Sequence, residues 1–129
     1  MIPIDQEFVH DPSINQHGDC FRACLASVLE MPREEVPHFA QEANGVAHIF
    51  WNNAMDWLEA RGWEYVHSPT WKPHEWFHFI SGPSPRGNGV THMVVGLNGE
   101  VVHDPHPSRA GLSGDRSMWR FSYLARIDE

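Results

Sequence analysis

The dipeptide Asn98-Gly99 lies between two apolar runs, residues 91–97 and 100–104, and constrains the fold more than any other feature. Asn-Gly accepts the left-handed backbone of a tight hairpin turn, so the two runs are predicted to pair as antiparallel strands. The register then decides which side chains meet. With a two-residue turn Met93 faces Asp104 and His92 points to the other face. With a three-residue loop bulged at Gly99, His92 faces Asp104 directly. Successive side chains alternate between faces, so a one-residue slip decides the matter. Leu97-Asn98-Gly99 suits a type I turn followed by a left-handed glycine, and the bulged loop is predicted.

Upstream the periodicity is helical. Cys20, Cys24, Leu25, Val28 and Leu29 recur on one face, with Asp19 as candidate N-cap and Pro32 past the end. Residues 33–36 read as a short helix between prolines, and 48–61 as a second amphipathic helix stopped by Gly62. Residues 1–17 read as irregular. Strands are expected at 63–67, 76–80 and 119–126, with 82–89 a loop. Helices first and a meandering sheet afterwards indicate an α+β class, with N-terminal helices packed on a mostly antiparallel sheet. At 129 residues the chain forms one domain, 1–129.

The net charge is −8 with neutral histidines, and no Lys/Arg cluster occurs, so a nucleic-acid partner is not expected. Such a balance mainly keeps a protein soluble, while attracting basic groups. No stretch approaches the roughly 20 apolar residues of a membrane span, and the N-terminus carries no signal-peptide pattern. With its two cysteines four apart in a helix, the chain is expected to work reduced, in the cytoplasm.

Cys20 opens its helix if Asp19 caps it, where the dipole and unpaired N–H groups favour thiolate. Cys24, one turn deeper, reads as core. A nucleophilic cysteine needs a base, and the base an orienting partner. Among ten histidines, His92 opens an apolar strand and Asp104 closes its partner. His103 projects to the opposite face from Asp104 and reads as structural. Trp71 and Trp76, in a Pro-flanked stretch, are candidate groove walls, and Arg86 a candidate carboxylate binder. A Cys2His2 zinc site competes, but helical cysteines do not form a zinc knuckle, so neither metal nor cofactor is expected.

Gly18-Asp19-Cys20-Phe21-Arg22-Ala23-Cys24-Leu25-Ala26, Thr91-His92-Met93-Val94-Val95 and Val102-His103-Asp104-Pro105, in that order, resemble the papain-like cysteine peptidase superfamily. Within it the three motifs are similar to bacteriocin-leader-processing peptidase domains. Over residues 18–112 the chain is similar to short uncharacterised bacterial and phage papain-like proteins. The resemblance implies a papain-like fold and a thiolate–imidazolium pair of Cys20 and His92, oriented by Asp104. It also implies a glutamine before the cysteine in the oxyanion hole; Gln16 takes that part, with Asn15 and His17 as alternatives. The expected function is hydrolysis of an amide, isopeptide or thioester bond in a peptide or protein substrate. The alternatives are a binding module without turnover and an acyltransferase using the same triad.

Overall fold

A computed structural model describes residues 1–68, 76–87 and 89–127. Three helices, α1 (Cys20–Leu29), α2 (Phe39–Glu42) and α3 (Ala47–Glu59), precede five strands. These are β1 (Trp63–Ser68), β2 (His78–Pro83), β3 (Thr91–Leu97), β4 (Glu100–His103) and β5 (Arg120–Arg126). They form one sheet in the order β1-β5-β2-β3-β4, antiparallel at every pairing. The α+β class, the helices-first order and the boundaries of α1 and β3 follow the sequence reading.

The alternation along β2 and β3 sorts side chains between two cores. Phe79, Met93 and Val95 join Leu25, Leu58 and Tyr65 beneath the helices, whereas Ile80, Val94 and Phe121 form a second cluster covered by Leu112 and Trp119. Fully burying a side chain such as Phe79 or Leu25 contributes about 2–3 kcal/mol. Trp51, Trp57 and Trp63 pack at the edge of the first cluster. Phe21 anchors that layer, with its ring edge-on to Phe50 and Trp51 at 5.0 and 5.7 Å.

Three local expectations fail for identifiable reasons. Asp19 precedes α1 but does not cap it. Its carboxylate accepts the backbone N–H groups of Phe8 and Glu7 at 2.8 and 3.2 Å and pairs with Arg22 at 3.4 Å. β2 runs on through Gly82 and Pro83, which the sequence assigns to a loop; a Cβ at Gly82 would lie 2.7 Å from Cδ1 of Trp119. The glycine there makes room for the indole that covers the second core.

The third concerns the hairpin. Asn98 and Gly99 both have positive φ, 51° and 79°, and Leu97 pairs with Glu100. The turn is therefore the strict two-residue form, not the predicted bulged loop, because both central residues accept left-handed backbone. The extra residue enters two positions later instead. Gly96 pairs with Val101 but Val95 pairs with His103, which leaves Val102 as a bulge. That insertion reverses the parity set by the turn and returns Asp104 to the side of the hairpin that His92 occupies. Gly96 sits at the shift because His78 Nε2 and Ile80 Cδ1 approach within 2.7 Å of where a Cβ would stand.

Candidate active site

His92 and Asp104 meet. The ring Nε2 lies 2.7 Å from Asp104 Oδ1, and the two residues are 4% and 5% exposed. Against a carboxylate, Nε2 carries the proton, so Nδ1 is the nitrogen free to accept one. Asp104 is itself held by the backbone N–H groups of His106 on Oδ1, at 2.9 Å, and of Gly111 on Oδ2, at 2.7 Å. Burial opposes its charge, but the bond from His92 and these two amides outweigh it and hold its pKa below the usual carboxylate value. Asp104 thus stays ionised and fixes the imidazole.

Cys20 begins α1 and lines two adjoining cavities together with His92, one of about 270 Å³ and one of about 360 Å³. The larger is walled by Phe50, Trp51, Tyr65 and His67. Burial pushes the thiol up to about 11, against the backbone N–H groups of Met93 and Phe21, which favour thiolate; the charges of Asp19 and Asp104 raise it further. Met93 directly follows His92, so that bond holds the sulfur beside the strand bearing the base. Cys20 as a whole residue is only half-buried. Burial likewise lowers the pKa of His92, with Asp104 acting in the opposite direction. Both shifts favour the neutral forms, a thiol and an unprotonated imidazole. Cys24 is fully buried, directs its sulfur to the Met93 carbonyl at 3.5 Å, and belongs to the core.

Gln16 does not reach the cavities at Cys20. Its amide donates to the Val9 carbonyl at 2.5 Å, and the residue lines a separate depression with Phe8 and His38. The glutamine at the cysteine is Gln6, which lines the smaller cavity and donates from Nε2 to the Phe8 carbonyl at 2.6 Å. Sequence reasoning missed it because residues 1–17 have no local periodicity and are placed by distant partners. Ile4 N–H donates to Ser27 Oγ and Gln6 N–H to the Pro105 carbonyl, both at 3.0 Å, while Phe8 is held by Asp19. No local pattern in that segment singles Gln6 out.

Arg86 lines the smaller cavity. Trp76 is 67% exposed and lines neither cavity, so it is not a groove wall there. Trp71 lies outside the described residues. His103 donates from its ring to the Ile4 carbonyl at 2.8 Å and serves the N-terminal segment. Among the described residues no three His, Cys, Asp or Glu side chains converge as a metal site would require, and no helix is long and apolar enough to cross a membrane.

Comparison with protein-family models, with curated proteins and with solved structures finds no match to this chain.

Proposed function

We propose that this protein is a cysteine-dependent hydrolase of papain-like type, acting on an amide, isopeptide or thioester bond. The observation that carries the reading is the buried His92–Asp104 pair, whose histidine lines both cavities with Cys20. A buried, oriented imidazole beside a helix-opening cysteine is what nucleophilic catalysis asks of a base.

On this reading catalysis runs through an acyl-enzyme on Cys20. As Cys20 Sγ attacks the carbonyl carbon, its proton passes to His92 Nδ1, and the carbonyl π pair becomes an oxyanion. The imidazolium formed is stabilised by Asp104. The backbone N–H of Cys20, one of the first-turn amides that lack an intrahelical acceptor, and the amide of Gln6 carry the oxyanion. Collapse expels the leaving group, which takes the proton from His92, and leaves a thioester on Cys20. Water then attacks that thioester, giving its proton to Nδ1, and the acid departs with regeneration of the thiol.

The test uses p-nitrophenyl acetate. Expected are a burst of p-nitrophenol, an acetyl group located on Cys20 by mass spectrometry, and slower steady turnover. Both phases disappear in Cys20→Ala and fall in His92→Gln. Acetylation that never turns over supports the binding-module alternative, and acetylation of Cys24 in place of Cys20 refutes the reading. Turnover only with added amines assigns acyl transfer.

A further inference from the structure

The smaller cavity holds a polar array that the hydrolytic steps leave unused. His106 lines it and is 8% exposed. Its Nδ1 accepts the backbone N–H of Ser108 at 3.0 Å, so the ring proton sits on Nε2, and that buried Nε2 has no hydrogen-bond partner. A buried donor left unpaired costs roughly 1–3 kcal/mol, a cost that a ligand acceptor would remove. The ring lies 6.1 Å from that of His92, nearly perpendicular to it.

Arg86 stands on the same wall. The turn that presents it is fixed by Ser84, whose Oγ accepts the Arg86 N–H at 3.2 Å and whose carbonyl accepts the Gly87 N–H at 3.0 Å. Its guanidinium donates to Ser108 Oγ at 3.2 Å. Ser108 thereby links the two cationic or donor groups, accepting from Arg86 and donating to His106. Among the described residues Arg86 makes no ion pair. Its charge acts, behind burial, to lower the pKa of both His92 and His106, which places it within electrostatic reach of both rings.

The surrounding charge reinforces this. The chain carries −8 overall, yet among the described residues no Asp or Glu lines either cavity at Cys20. The carboxylates that act on the thiol, Asp19 and Asp104, lie outside both cavities, Asp19 on the Phe8 and Glu7 amides and Asp104 on His92, whereas Arg86 lines the smaller one. A cleft focuses the field of the groups that line it, and a guanidinium with an adjacent N–H donor matches a carboxylate.

We propose that His106 Nε2–H and Arg86 bind a carboxylate of the substrate in the cavity beside Cys20. The proposal rests on reading Cys20 as the nucleophile, and it makes the substrate anionic near the cleaved bond, through a C-terminal carboxylate or an Asp/Glu side chain.

Cys20 is alkylated at one pH with iodoacetate and with iodoacetamide, in each case by displacement of iodide by sulfur, and the product is located by mass spectrometry. The ratio of the two rates cancels the thiolate fraction. In the wild type iodoacetate is expected to react about tenfold faster, the charged reagent being concentrated by the site. Arg86→Gln, an exposed and readily tolerated change, brings the ratio to about one, and His106→Gln lowers it; thermal melts confirm that both variants are folded. A wild-type ratio at or below one overturns the proposal, as does a ratio unchanged in Arg86→Gln. If His92→Gln leaves the iodoacetamide rate untouched, the nucleophile reading itself falls, a separate outcome. Protection of Cys20 by acetyl-trialanine but not by its amide assigns a C-terminal carboxylate. Protection by amidated acetyl-Ala-Asp-Ala assigns a side chain, and protection by neither overturns the proposal.

Discussion

His92 and Asp104 are joined at 2.7 Å across a hairpin whose turn alone would have kept them apart. The two-residue turn at Asn98-Gly99 sends the pair to opposite faces, and the bulge at Val102 brings them back. Asp104 then lies just past the end of β4, where the His106 and Gly111 amides can reach it. The pairing depends on both irregularities together.

Replacing Asp104 by Asn preserves volume and removes the charge that orients His92 and stabilises its protonated form. The rate of acetylation at Cys20 is expected to fall about 10³- to 10⁴-fold with little loss of helix or sheet signal. Burst kinetics with p-nitrophenyl acetate measure it; a fall of less than about tenfold would remove Asp104 from the machinery.

Gln6, not Gln16, lines a cavity with Cys20, so the proposed oxyanion role passes to it. Gln6→Ala should slow acylation about 100- to 1000-fold, the usual cost of one oxyanion donor. Gln16→Ala loses a bond to the Val9 carbonyl and is expected to cost about 1 kcal/mol of stability, with acylation nearly unchanged. The reverse ranking of the two variants would return the oxyanion role to Gln16.

Burial raises Cys20 to about 11 and lowers His92, so both shifts favour the neutral forms. The iodoacetamide rate at Cys20 should therefore keep rising with pH past about 8.5, where an ordinary thiol levels off. Its acid limb should lie below about 6.5, the ordinary histidine value, since His92 must be neutral to accept the proton. A flat rate between pH 5 and 8 would instead reveal a preformed thiolate.

Asp19 is buried with two backbone amides and Arg22 on its carboxylate. Asp19→Ala leaves both amides without their acceptor, while Arg22 keeps Glu7 and the Arg33 and Val36 carbonyls, and should destabilise the fold by about 3 kcal/mol. The same change frees Phe8, and with it the segment that carries Gln6, so acylation should slow even where the variant is fully folded. Urea unfolding and burst kinetics on one preparation separate the two effects.

The residues that local physics governs were legible in the chain. Helical spacing placed Cys20 at the start of α1, and the apolar run with Asn98-Gly99 placed β3 and its hairpin, because periodicity and turn chemistry act between near neighbours. The sequence alone thus determined an α+β chain with a cysteine opening a helix and a histidine opening a strand. Only the tertiary structure decided the rest. Which residue bulges depends on cross-strand contacts, Gly96 against His78 and Ile80 among them. Asp19 serves the N-terminal segment, not its own helix, and Gln6 reaches the cavity because Ser27, Asp19 and Pro105, all distant in sequence, hold the segment around it. Side chains and amides with no local partner take whatever partner folding brings, and that choice is made by the whole molecule.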